Sequence, residues 1–353
     1  MSRINKQFFY TLISIVCGFI VGGLILIYAD FHPMQAYGVM INGVIGQPRY
    51  IAWTIVYATP LILTGLSVAF AFKTGLFNIG AEGQYIVGSF TAALVGYFFS
   101  GPAIIHLPLS ILAGMIAGAL WAAIAGFLKT KFGVHEVIST IMLNWTALYL
   151  SNFVVSTEGF RVPNTEASHN IKETASTSIL FLKHFVGTAK VNWGIFIALV
   201  AAAIIYYIIY KTTLGYELRA VGHNKDAAEY GGIHVNRSVV VSMAIAGGLA
   251  GLAGATQVLG VSHKVTILAA AEGYGFDGIA VALIGANSPI GVVLSALLFG
   301  GLKYGGSKLQ TIGAPPEVVS IVIGSIIYFI AASSLFKMLA EKLKGKKGGR
   351  KNG

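Results

Sequence analysis

Five side chains with chemical capability sit at odds with their surroundings. Asn78, Glu82, Asn144, Trp145 and Asp277 all fall in, or at the mouth of, long apolar runs. A carboxylate or amide in an apolar medium is costly unless it faces protein or water, so such residues mark pathways and interhelical contacts. Glu82 follows Asn78 by four residues, which puts both on one face of a helix. Two roles are open to Glu82: bracing neighbouring helices near a membrane interface, or touching a substrate. Asn144 has a similar choice. It can make an interhelical hydrogen bond worth about 0.6 kcal/mol. Alternatively, with Trp145 beside it, it can hold the edge of a flat ligand stacked on the ring. Asp277 stands in Gly275-Phe276-Asp277-Gly278, as a helix N-cap or as part of a translocation path.

Nothing in the chain is arranged for catalysis. The stretch Gly301-Leu302-Lys303-Tyr304-Gly305-Gly306-Ser307 comes nearest to a phosphate-binding loop but lacks the lysine after its last glycine. There is no HExxH, GxSxG or paired CxxC motif, and the eight histidines are scattered without ligand spacing. Cys17 is the single cysteine, so no intrachain disulfide or thiolate cluster can form. The expectation is no catalytic residue, no metal and no cofactor; any ATP must be bound by another chain.

The elements that must position these residues are membrane helices. Only 10% of the residues are charged, against about 25% in an ordinary soluble domain. Apolar runs long enough to span recur at about 8–28, 51–72, 78–99, 108–128, 134–155, 191–210, 238–259, 289–305 and 317–336. A tenth, at 275–287, is too short to cross upright and reads as a tilted half-helix or a re-entrant piece. Arg3 and Lys6 precede the first run as in a signal peptide, but its length and the lack of a small-x-small site predict a retained helix. Gly247, Gly251 and Gly254, with the pairs Gly18/Gly22 and Gly114/Gly118, predict close helix seams.

The net charge of +11 does not point to nucleic acid, because the basic residues lie in short loops and in a tail at 337–353. With the N-terminus in the cytoplasm, cytoplasmic segments hold 16 Lys and Arg and outer segments hold 8. That bias puts both termini inside, as ten crossings require. An outer loop at 156–190 and a cytoplasmic loop at 211–237 interrupt an otherwise tight chain, read as one membrane domain over 1–353. In the cytoplasmic loop, Asn224 can cap a short helix that Gly231 or Gly232 ends. So short a helix is marginal alone, so a partner protein or the lipid interface must hold it.

Asp226-Ala227-Ala228-x-x-x-Gly232 resembles the EAA-x-x-x-G loop of bacterial ABC-importer permeases, with Asp for the usual Glu. Gly75-Leu76-Phe77-Asn78-Ile79-Gly80-Ala81-Glu82-Gly83-Gln84 is similar to the signature of the nucleoside and simple-sugar permeases that work with BMP-type lipoprotein receptors. Thr140 to Asn144 and Ile279 to Gly285 are similar to further blocks of that group, which is related to the ribose and branched-chain amino-acid permeases. The resemblance implies an all-α, type II importer-like fold of about ten transmembrane helices in a bacterial plasma membrane. Its partners would be a cytoplasmic ATP-binding-cassette ATPase, a second permease chain (a different one or a second copy) and an extracytoplasmic lipoprotein receptor. Gly222, His223, Asn224, Asp226, Ala227, Ala228 and Gly232 would then couple to the ATPase. The substrate implied is a nucleoside, with a simple sugar as the alternative. An ion-gradient carrier using Glu82, Glu136 and Asp277 is the rival from another class.

Overall fold

The computed structural model describes residues 3–179 and 186–332. The basic tail at 337–353, Lys183 and the last residues of the 317–336 run lie outside the described residues. Among those described, the regular structure is helical, apart from isolated β-bridges at Arg161–Ser168, Ala167–Thr266 and Ser178–Asn192. A helix lies over every one of the ten apolar segments. Among the described residues, six helices are long and apolar enough to cross a membrane, and Ile13–Tyr28 with Pro33–Ile45 would add a seventh if that pair, bent by 118°, is one broken span.

The chain divides into two compact units, residues 1–50 with 301–353 and residues 51–300. The first holds α1 (Arg3–Tyr28), α2 (Pro33–Ile45) and α13 (Pro316–Ala331). Gly18 and Gly22 form the expected seam: a methyl at Gly18 would stand 2.9 Å from the Ile326 Cα. The α2 helix is absent from the apolar pattern, which reads as outer loop there. Asp30, at φ 61°, breaks the chain, and Pro33, preset for the first helical turn, restarts it. The Tyr37 hydroxyl then donates to the Phe19 carbonyl at 2.6 Å.

The second unit holds α3 (Pro48–Lys73, from residue 51), α4 (Ala81–Phe98), α5 (Ala103–Phe132), α6 (Glu136–Val155) and α7 (Gly194–Lys211). After them come α8 (Thr213–His223), α9 (Lys225–Tyr230), α10 (Val235–Gln257), α11 (Tyr274–Ile284) and α12 (Pro289–Ser307, to residue 300). Its core is α10 laid against α4 and α5. Glycine makes that contact possible. A methyl at Gly254 would stand 2.0 Å from the Tyr85 carbonyl oxygen, and one at Gly118 would stand 2.4 Å from that of Gly247. Backbones this close gain dispersion contact that a lipid tail cannot match, which is how apolar helices associate without a hydrophobic driving force.

The 275–287 run is α11, only eleven residues long. Before it, residues 263–273 form no helix and leave the five-residue π-helical turn Val258–Ser262 that ends α10. The middle of that segment is tied to Asn152 on α6: the Leu268 N–H donates to its Oδ1 (2.8 Å) and its Nδ2 donates to the Leu268 carbonyl (2.9 Å). Its far end, at Gly273, is tied to Glu82.

Candidate functional site

Three of the five polar residues converge on the turn between α3 and α4. Asn78 is fully buried and all of its hydrogen-bonding capacity is used. Its Nδ2 donates to Ser67 Oγ (3.2 Å) and Gln84 Oε1 (2.9 Å), while its Oδ1 accepts from Gly80 N–H (3.1 Å) and Gln84 Nε2 (2.9 Å). The bond to Gly80 closes the turn before the helix starts at Ala81. Asn78 and Glu82 therefore do not share a helix face as their spacing suggests, because only Glu82 is helical.

Glu82, also fully buried, reaches across to the start of α11. Its Oε1 accepts from Gly273 N–H at 2.8 Å and its Oε2 from Gly275 N–H at 2.6 Å. A carboxylate at a helix N-terminus satisfies orphan donors and meets the positive end of the dipole. A methyl at Gly275 would stand 2.2 Å from the Glu82 nitrogen, so the approach needs glycine there. Asn144 holds the same turn from α6: Oδ1 accepts from Gly83 N–H (2.8 Å) and Nδ2 donates to the Ile79 carbonyl (3.1 Å). Asn78, Glu82 and Asn144 thus tie α3, α4, α6 and α11 together.

The other two are placed differently. Trp145 faces outward, 54% exposed, stacked on Tyr149 with ring centroids 6.3 Å apart. Asp277 is half-buried in the first turn of α11, after the cap at Gly273.

Four polar groups near this knot carry no signal in the sequence pattern. Glu272 accepts the Tyr85 hydroxyl at 2.7 Å. With Ser89, Ser151 and Gln257 it lines a cavity of about 110 Å³. Glu272 escapes notice because it closes a non-helical Ala269-Ala270-Ala271 stretch, and the others because single hydroxyls and amides do not break an apolar run.

The loop at 211–237 forms as its residues suggest. Asn224 accepts from Ala227 N–H at 3.0 Å, capping α9, and Gly232 takes φ 84° just past its end. An unforeseen helix, α8, precedes it, capped by Thr212 on Gly215 N–H at 3.1 Å. Ala228 is buried, while His223, Asn224, Asp226, Ala227 and Gly232 are exposed. Gly222 packs against the end of α3, where a methyl would meet the Lys73 carbonyl oxygen at 2.2 Å. Nearby, Thr74 and Ser242 share a hydrogen bond of 2.8 Å. At the start of α6, His135 Nδ1 accepts from Val137 N–H at 3.3 Å and Glu136 pairs with Lys129.

Residues 50–331 match the family described as branched-chain amino acid transport system / permease component. The chain belongs to this permease family. Over 336 residues, 95% of this chain and 96% of the relative, the permease is 46% identical to the guanosine ABC transporter permease protein NupP of Bacillus subtilis. It is 37% identical to the nucleoside ABC transporter permease protein NupB of Lactococcus lactis, over 98% and 96% of the two chains. It is 33% identical to the glucose ABC transporter permease protein TsgB13 of Haloferax volcanii, over 92% and 87%. The permease is therefore a multi-pass membrane subunit of an ABC transporter, a transport component and not an enzyme, that works with ATPase and other components of such a system.

Proposed function

We propose that this permease carries nucleosides into a bacterial cell across the plasma membrane, by alternating access driven by a separate ATPase chain. The observation that carries the substrate is similarity over nearly the whole chain to two permeases named for guanosine and for nucleosides. The relative named for glucose stands further off.

Ten crossings with both termini cytoplasmic is the topology we favour, and the whole chain acts as one permease domain. Support comes from the ten helix-bearing apolar segments and from the 16 to 8 asymmetry of Lys and Arg. The exposed α9 with its flanks, from Gly222 to Gly232, is the surface for the ATPase, which binds the ATP. A second permease chain, of a different kind or a copy of this one, and a lipoprotein receptor outside complete the assembly. No metal or cofactor of its own is proposed. Motion at α9 passes through Gly222 to the end of α3, along the turn to Asn78 and Glu82, and from Glu82 to α11. Asn78, Glu82 and Asn144 act on the path by setting where its walls stand, while Trp145 and Asp277 are its remaining candidate contacts.

The test is uptake by the full complex in lipid vesicles with receptor outside and ATP inside. Labelled guanosine should accumulate only with both present and resist excess free ribose. Accumulation of labelled ribose and none of labelled guanosine would move the substrate to the sugars.

A further inference from the structure

We infer that the cavity between α4, α6 and the 263–273 segment is a subsite for the sugar hydroxyls of the transported substrate. This rests on the nucleoside reading above and goes further, to the atoms that hold the pentose.

Three observations point there. The first is the backbone around the cavity. Asn152 and Glu82 tie down the two ends of residues 268–273, at Leu268 and Gly273. Asn144 binds at the level of Gly83, beside Glu82. Asn152 lies eight residues further along α6, so the segment travels about 12 Å beside that helix without forming one itself. Non-helical backbone at such depth survives only where protein covers it or where it lines a water-filled space. Ala269, Ala270, Ala271 and Glu272 are exposed on this chain, so water or the second permease chain must meet them.

The second observation is the chemistry of the lining. Tyr85, Ser89, Ser151, Gln257, Lys264 and Glu272 converge on the cavity from four parts of the chain. Glu272 Oε2 already accepts from the Tyr85 hydroxyl at 2.7 Å. A carboxylate has acceptor sites to spare after one bond. Hydroxyls and an amide beside an acceptor suit a vicinal diol, each of whose oxygens both donates and accepts.

The third observation is Ser151. It is fully buried, and its Oγ has no hydrogen-bond partner, not even the carbonyl one turn back that a helical serine usually takes. A buried hydroxyl left unpaired is destabilising, so a group that completes it is to be sought in the cavity it lines.

Size sets what enters. A volume of about 110 Å³ is several times what one water needs, yet well under the roughly 300 Å³ of a pocket that swallows a whole drug-sized ligand. It takes the pentose and leaves the base outside. The π-helical turn Val258–Ser262 follows Gln257 directly, and such turns gather at functional sites.

The experiment compares guanosine with 2′,3′-dideoxyguanosine, which lacks the diol. Uptake of each is measured well below saturation in the full reconstituted complex, for wild type, Ser151→Ala and Glu272→Gln. The receptor is the same throughout, so its preference cancels when each variant is divided by wild type. Losing a buried hydrogen bond to substrate should slow guanosine about tenfold in each variant. The dideoxy rate should stay within about twofold. Ser151→Ala removes an unpaired hydroxyl and Glu272→Gln keeps an acceptor for Tyr85, so neither should unfold the chain. Equal losses for both substrates would mean a structural role and overturn the subsite, as would no loss for either. If wild type carries ribose and no nucleoside, the nucleoside reading falls. The subsite is then judged on ribose uptake, where loss in both variants keeps it and no loss overturns it.

Discussion

Glu82 is a fully buried acid held by the backbone of another helix. Its carboxylate takes two backbone N–H groups at the start of α11, and both would be orphaned without it. Each orphan is worth about 1–3 kcal/mol. Glu82→Ala should therefore lower thermal stability in detergent markedly, while Glu82→Gln, which keeps one acceptor oxygen, should lower it less. An alanine variant as stable as wild type would return Glu82 to the role of substrate contact. The glycines make a second contrast. Gly254→Ala drives a methyl to 2.0 Å from the Tyr85 carbonyl oxygen, whereas Gly38→Ala meets nothing within 4 Å. Overpacking costs about 1–3 kcal/mol, and an unopposed Gly→Ala change in a helix gains about 0.5–1 kcal/mol. Thermal unfolding of the two variants should move in opposite directions.

At the scale of elements, α9 is a six-residue helix that could not hold itself together in water. Asn224 at one end and the left-handed Gly232 at the other define it, and buried Ala228 is its anchor. Replacing residues 226–232 with a flexible linker should abolish ATP-driven uptake while the protein still inserts, as judged by its amount in the membrane fraction. Preserved uptake would remove the helix from the coupling route. Asn224→Ala is the gentler variant. Loss of a cap costs about 1 kcal/mol, so uptake per ATP hydrolysed should fall without being lost.

At the scale of the molecule, topology and assembly are the open properties, and each has a direct reading. Cys17 is the sole cysteine, so Cys17→Ala gives a clean background for labelling. Tyr230→Cys on the 97% exposed tip of α9 should react with a membrane-impermeant thiol reagent only from the cytoplasmic side. Asn164→Cys, at an exposed position of the 156–179 stretch, should react only from outside. Labelling from the reverse sides would invert the proposed orientation. Mild extraction of a tagged chain should bring with it an ATPase bearing a phosphate-binding loop and a second permease chain.

The apolar runs, the glycine seams and the short capped helix were all legible in the order of the residues. They rest on local physics: a span needs a length of apolar side chains, a close seam needs small residues at helical spacing, and a cap needs one oxygen three residues from an amide. The family resemblance, too, lies in contiguous motifs around Asn78 and Asp226. The partners of the polar residues lay beyond sequence, because they come from distant parts of the chain. Glu82 meets Gly273 and Gly275, Asn144 meets Gly83, and Asn152 meets Leu268. Nor could spacing separate Trp145, which faces outward, from its neighbour Asn144, which faces in. What only the tertiary structure decided is which polar atoms are already satisfied by the backbone and which, like Ser151 Oγ, are left over. A hydrogen bond is a property of position in space, and the sequence specifies position only through the whole fold.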